Sequence, residues 1–433
     1  MAPKRHHPIL GLLWKAFQFG YGLVVLVSYI ALAFIRKRRF RKLSDRDREL
    51  LVARDRLWNL NKTPHDLKHR FCILRAGTKL HYVESVPPAD STGRKNLIIF
   101  IHGFPDSWAL WSHHLRNNEL RQSATLIALD LPGFGGSDTL PDFGSTTVLE
   151  AITEFILAMR ATYLTPDTSS RVLLVAHDWG ALIGFRLASE APQLADRFIL
   201  SNSFHPPLAV SNARNRLSTA ARILRTWTTT PSALRLPLKA ASLLTPLLSQ
   251  LFKSGYVFLF NLPAPLAAFP ASLGDHWLLR YNNALAAHPD PSTPLEGPVG
   301  AKALASTLGP SMSEITAPGP ESYPEAVRTR LADGGWMAKL ALYRQGMASD
   351  PWTKSLETLW ELNELSNSTR SSARRASGAG VFDLGPEGAL RARVTVVWGK
   401  QDVAIDERVA LEGMGEFMAG NAIHKRKATS LLT

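Results

Sequence analysis

The sequence predicts an α/β protein, a mostly parallel sheet interrupted by a helical insertion and preceded by a membrane helix. Three observations carry this. Continuous apolar runs at 96–103 (NLIIFIHG), 124–138 (ATLIALDLPGFGGSD), 171–180 (RVLLVAHDWG) and 197–202 (RFILSN) alternate with helical spacing. Strands that are apolar throughout, rather than on alternate positions, belong to a sheet covered on both faces. About 190 residues then pass before the next such run, RVTVVWG at 393–399. Finally, residues 17–35 (FQFGYGLVVLVSYIALAFI) contain no charge.

That N-terminal run of 19 residues would span roughly 28 Å as a helix, close to the bilayer core of about 30 Å. A cleaved signal peptide is the alternative, since ALA at 31–33 fits a processing site. The length of the run and the basic block behind it favour an anchor. Nine of the Lys and Arg residues lie in residues 1–42 with no acid, leaving about +5 of the formal +14 for the rest of the chain. The excess therefore reads as membrane topology and not as a nucleic-acid surface. More basic residues follow the run than precede it, which places the folded domain on the cytosolic side, with the endoplasmic reticulum the expected membrane. A version starting near Asp45 is expected to be soluble without detergent. The single cysteine, Cys72, excludes a disulfide framework.

Along the chain, 71–84 reads as a hairpin about Ala76-Gly77. Val148, Ile152, Phe155, Ile156 and Met159 recur at helical spacing in 147–163. A further helix runs from Ala181 to about Glu190. The long interval holds helical segments near 216–226 and 331–348, and loop-like passages at 288–327 and 366–380. An insertion between late strands of a parallel sheet lies over their carboxyl ends, where such sheets bind ligands. It is a natural lid. The expected division is a short segment 1–16, a transmembrane helix 17–35, a basic linker 36–69, a first core part 70–204, a lid 205–390 and a second core part 391–433.

The most informative stretch is LLVAHDWGALIG, 173–184. A strand runs into a sharp turn with small residues on either side of Asp178, which leaves the apex side chain clear of the sheet. A carboxylate held there suits attack on alkyl carbon, forming an ester that water later hydrolyses. The alternative is an ordinary acid at a helix N-terminus.

HGFPDSW (102–108), DLPGFGGSD (130–138), HDWG (177–180) and VVWGKQD (396–402) together resemble the α/β-hydrolase superfamily, and within it the epoxide hydrolase branch and its membrane-anchored members. The resemblance covers about 70–433, with gaps in the insertion. It implies an α/β-hydrolase fold and Asp178 as nucleophile. It also implies an oxyanion hole from the backbone N–H groups of Phe104 and Trp179, and Asp402 as the acid orienting a catalytic imidazole. A turn-forming Asp is the alternative at Asp402. His102 and His177 read as structural. Two lid tyrosines would protonate the leaving oxygen. LYRQGM (342–347) nominates Tyr343 and SGYVFLFNLP (254–263) nominates Tyr256, with Leu259 at that position in another alignment and a core tyrosine the alternative for each. DLPGFGGSD lacks the G-x-G-x-x-G order and reads as a turn, not a dinucleotide site. No cofactor or metal is implied.

The resemblance places the catalytic histidine at or just past Thr433, where the sequence has none. The helix after Asp402 fits 407–418, and the tail HKRKATSLLT is unlike a buried strand. His424 falls where that last strand belongs, so the base is unassigned and the C-terminus reads as truncated or altered. The expected function is a membrane-anchored epoxide hydrolase-type enzyme acting on a small apolar epoxide or related electrophile, with the ester-hydrolysis step in question. The rivals are a haloalkane or haloacid dehalogenase, which Phe104 in place of Asn disfavours, and a non-catalytic homologue binding a lipid or partner.

Overall fold

The computed structural model describes residues 8–36, 43–62, 67–85, 96–164, 170–272, 276–287, 297–315, 321–333, 335–373, 388–418 and 426–428. The strands are β1 (Leu67–Ile73), β2 (Lys79–Ser85), β3 (Asn96–Ile101), β4 (Ala124–Leu129), β5 (Val172–His177), β6 (Arg197–Ser201), β7 (Val394–Gly399) and β8 (Arg426–Ala428). They form one sheet in the order β1-β2-β4-β3-β5-β6-β7-β8. The pairs β1–β2 and β2–β4 are antiparallel and the others parallel. The β1–β2 turn uses Gly77 at φ +84°, a left-handed conformation open to glycine.

Register positions the site. Ile101 pairs with Leu129 and with Ala176, and His177 pairs with Ser201, which in turn pairs with Val397. The parallel strands therefore end together, and the loops after β3, β4, β5, β6 and β7 emerge along one edge.

Helices cover both faces of the sheet. The N-terminal helices are α1 (Pro8–Arg36) and α2 (Leu43–Trp58); the short α3 (Ser112–Leu115) and α4 (Asn118–Ser123) precede β4. α5 (Ser145–Tyr163) and α6 (Trp179–Glu190) flank β5 in the chain. The five apolar positions that define the helical pattern of α5 are all buried in the main core with Leu174, Phe185 and Phe198. Burying each such side chain contributes roughly 1.5–3 kcal/mol.

The lid comprises α7 (Pro206–Thr229), α8 (Arg235–Lys253), α9 (Gly255–Phe260), α10 (Ala264–Ser272), α11 (Trp277–Ala287), α12 (Gly297–Leu308), α13 (Glu325–Thr329), α14 (Trp336–Arg344) and α15 (Leu356–Ala373); α16 (Glu407–Ala410) follows β7. It has its own core, in which Leu259, Phe260, Trp277 and Trp336 meet Leu26 and Ala33 of α1.

Several expectations need correction. The passage 288–327 contains α12 and the start of α13, and α15 runs into 366–380 as far as Ala373. Small and polar residues there hide short apolar stripes: Ala301, Leu304, Ala305 and Leu308 of α12 are buried. The 36–69 segment is more than a linker, because α2 docks into the fold through fully buried Trp58, whose Nε1 donates to the Ala305 carbonyl at 2.9 Å. The helix expected at 407–418 is broken into α16 and a 3-10 turn at Met414–Phe417, with Gly413 at φ +74° between them. A last strand also exists in polar sequence. Arg426–Ala428 pairs in parallel with Val397–Gly399, since edge pairing requires main-chain groups and not apolar side chains. His424 lies outside the described residues.

Candidate active site

Asp178 caps the turn from β5 into α6 with φ +52° and ψ −120°. A non-glycine residue there stores on the order of 1–3 kcal/mol of strain and persists only where its surroundings hold it. They do so on both sides. The Asp178 N–H donates to the Ser201 carbonyl at 3.1 Å, and its own carbonyl accepts from Leu182 N at 2.9 Å. The following turn must approach the sheet closely: a Cβ on Gly180 would sit 2.5 Å from the Ile101 and His102 carbonyl oxygens. The pattern of small residues around the apex is thus a steric requirement.

The Asp178 carboxylate is itself held by main-chain donors. Phe104 N–H donates to Oδ1 at 2.7 Å, and Trp179 N–H also donates to the carboxylate. The two groups nominated as an oxyanion hole therefore converge on one side chain, the Asp178 carboxylate. Gly103 makes room, since a Cβ there would lie 2.3 Å from Asp178 Oδ1. Burial raises the Asp178 carboxyl above its ordinary range, opposed by neighbouring His177 and by the two N–H donors.

Both tyrosines lie near enough to this carboxylate to feel its charge. Tyr343 comes from α14 and Tyr256 from α9. The Tyr343 ring lies 4.7 Å from the Trp179 ring and 5.2 Å from that of Phe104, and 6.0 Å from Tyr256. Their side chains hydrogen-bond to one another. Burial first, and nearby negative charge including Asp178, push both phenols above their ordinary value. They thus stay protonated, as O–H donors, at neutral pH. Leu259, the other candidate at the first tyrosine position, is fully buried in the lid core.

Asp402 stands past the end of β7. Its Oδ1 accepts from the backbone N–H groups of Ala404 and Ile405, each at 2.8 Å, and its Oδ2 from Asn202 Nδ2 at 2.7 Å. Among the described residues no imidazole is bonded to it. His177 Nδ1 lies 3.1 Å from Ser201 Oγ. Burial lowers its pKa, with Asp178 and Asp402 opposing. His102 uses both ring nitrogens in the loop frame: Nδ1 donates to the Gly103 carbonyl at 2.7 Å and Nε2 accepts from Leu131 N at 3.0 Å. One neutral tautomer satisfies both bonds.

Two contributors escape the sequence reading. Buried Asp130 accepts from Trp108 N and His81 Nδ1, each at 2.7 Å, and from Gly136 N at 2.8 Å. It ties HGFPDSW to DLPGFGGSD, whose turn places Gly133 and Gly135 at positive φ. Asp106, in the same loop as Phe104, is the second. Burial, and then the charge of Asp178, raise its carboxyl to about 7, with Lys339 opposing. The signal was present as the acid of HGFPDSW, but nothing in one dimension places it beside Asp178.

A family described as alpha/beta hydrolase fold matches residues 96–417. By sequence the chain is similar to epoxide hydrolase 3 of Mus musculus, 27% identical over 45% of this chain and 44% of that protein. It is also similar to epoxide hydrolase 2 of Caenorhabditis elegans, 32% identical over 32% of this chain and 35% of that protein. The chain thus spans less than half the length of these curated relatives. Among solved structures it is similar to a Bacillus megaterium epoxide hydrolase in complex with an inhibitor, at TM-score 0.45 and 18% identity, over 83% of this chain and 92% of that one. With its parallel sheet, its strand-end elbow and a family match over most of its length, the chain belongs to the alpha/beta hydrolase fold family, and epoxide hydrolases are its relatives by sequence.

Proposed function

We propose that the chain opens epoxides through an ester on Asp178. The observation that carries this is the convergence of the Phe104 and Trp179 N–H groups on the Asp178 carboxylate, with Tyr256 and Tyr343 near enough to feel its charge. The oxygen outside the hole attacks a ring carbon as the ring C–O bond breaks. A tyrosine O–H donates its proton to the departing oxygen, which gives a hydroxyalkyl ester. Water then adds to the ester carbonyl. The two N–H groups stabilise the tetrahedral oxyanion, the diol departs and the carboxylate returns. Of the two protons of water, one goes to the departing alkoxide and the other restores the tyrosine. In this reading Asp402 orients the base of the second step.

A small apolar epoxide is the substrate class that the aromatic surroundings suit. α1 is long and apolar enough to cross a membrane. In this proposal it is a single-pass anchor of the endoplasmic reticulum with the catalytic domain in the cytosol.

A non-catalytic reading draws on one observation, that Asp402 has its carboxylate occupied by Asn202 and two backbone N–H groups. Two measurements separate the readings. Intact mass after mixing with a reactive styrene-type epoxide should show one adduct on Asp178, absent in Asp178→Ala. Diol formation should exceed one equivalent per chain. An unmodified mass and no diol would overturn the enzymatic reading.

A further inference from the structure

The lid carries a surface that the epoxide chemistry does not use. α7 and α8 form an antiparallel pair, and each shows an exposed apolar stripe. On α7, Leu217 and Leu224 stand one heptad apart in the open. On α8, Leu238 is 71% exposed, Leu248 54% and Phe252 74%. Neither helix contains an Asp or Glu. Exposed Arg214 and Arg225 lie beside the first stripe, and exposed Arg235 and Lys239 beside the second. Acid-free amphipathic helices with a basic flank match the interface of a bilayer, apolar side chains toward acyl tails and cations toward lipid phosphates.

The choice of a bilayer over a second protein rests on continuity with α1. Tyr21 Oη donates to the Leu251 carbonyl at 3.3 Å, next to Phe252. Gly22 lies so close to α9 that a Cβ there would be 2.7 Å from the Phe258 carbonyl. The inner face of α1 is thus seated on the lid. Its outer face leaves Leu13, Val24, Val27 and Phe34 exposed. The apolar surface of α1 therefore runs directly into that of α8.

We propose that the α7–α8 pair is a membrane-docking surface for anionic lipid bilayers, lying in the interface beside α1. The proposal rests on α1 being a membrane helix. Docking would bring α9, and with it Tyr256, next to the lipid phase.

The test uses the full chain in a Cys72→Ser background, with a polarity-sensitive fluorophore on Leu217→Cys or Leu238→Cys. Leu356→Cys, exposed on α15, is the control. Each is reconstituted into phosphatidylcholine vesicles with and without phosphatidylserine, containing nitroxide lipid. Labels at 217 and 238 should be quenched, more strongly with phosphatidylserine, and the control should not. In the anionic vesicles, Arg225→Glu with Lys239→Glu should weaken the quenching by several-fold, on the order of five-fold per basic residue near an anionic surface. Protein that floats with vesicles but is quenched no more at 217 and 238 than at 356 would overturn the docking surface while leaving the anchor. Failure to float would overturn both. A lipid-independent shift that grows with protein concentration would overturn it in favour of a second copy of the chain.

Discussion

Asp178 shows how much a single side chain depends on its neighbours. Its apex position comes from a local backbone at φ +52°, but the surroundings of its carboxylate come from two N–H groups on different segments and two tyrosines on different lid helices. The proposed role of Tyr343 follows from this convergence and from its protonated state. Tyr343→Phe removes the donor while keeping the ring packed against Trp179 and Phe104. Rapid-quench measurement of the adduct should show alkylation slowed by about 10²-fold, within the range typical of acid catalysis. An unchanged rate would make Tyr343 a core residue. Circular dichroism should be unaltered, because the ring contacts remain.

Among the elements, α1 has the least obvious role. Composition describes it as a hydrophobic run suited to lipid, and its outer face fits that description. Its inner face is part of the lid. Leu26 and Ala33 are buried with Leu259, Phe260 and Trp277, Trp14, Phe17 and Tyr21 pack edge-on against Phe258, and Gly255 would place a Cβ 3.2 Å from Val25. The expectation that a chain starting near Asp45 is soluble without detergent therefore changes. Such a chain uncovers the α9 and α10 surface that α1 shields. Light scattering after detergent removal should show aggregation, and adding charge at that surface with Phe258→Lys should reduce it. A monodisperse truncated protein would mean that α1 is not seated on the lid in solution.

At the scale of the whole molecule, buried imidazoles set the response to acid. His102 and His205 are fully buried, and burial lowers each to about 4 from an ordinary 6.5. The unfolded chain takes up protons at these positions near pH 6.5, whereas the folded chain does so only near 4. Their stabilising contribution is present above pH 6.5 and is lost as pH falls toward 4, on the order of 2 kcal/mol each at pH 5. Asp106 acts in the opposite direction. Its carboxyl is raised to about 7, so its ionisation opposes folding increasingly as pH rises from about 4 to 7, and acidification relieves that. Urea midpoints at pH 7 and pH 5 should show a loss of stability on acidification. Asp106→Asn, which removes the compensating relief, should deepen that loss by roughly 2 kcal/mol. An equal loss in both chains would place Asp106 in a more solvated setting than its surroundings indicate.

The parallel strands, α5, α6 and the identity of the apex residue were legible in the sequence because their signals are local. Apolar runs, a 3.6-residue period and small residues beside a turn are each read within a dozen positions, and Val148 to Met159 are buried as their spacing requires. The lid was legible only in part: segments of α7 and α14 were read as helical, while α8 to α13 and α15 were missed, since such helices gain their stability from packing more than from propensity. What only the tertiary structure decided is the meeting of distant segments. Phe104 and Asp178 are brought to 2.7 Å by parallel register, Asn202 and Asp402 to 2.7 Å by the neighbouring strands β6 and β7, and Asp106 is set beside Asp178 by the loop after β3. Hydrogen bonds and desolvation act over a few ångströms in space, whatever the separation along the chain. For that reason the sequence named the residue at the apex of the elbow, and the fold determined what surrounds it.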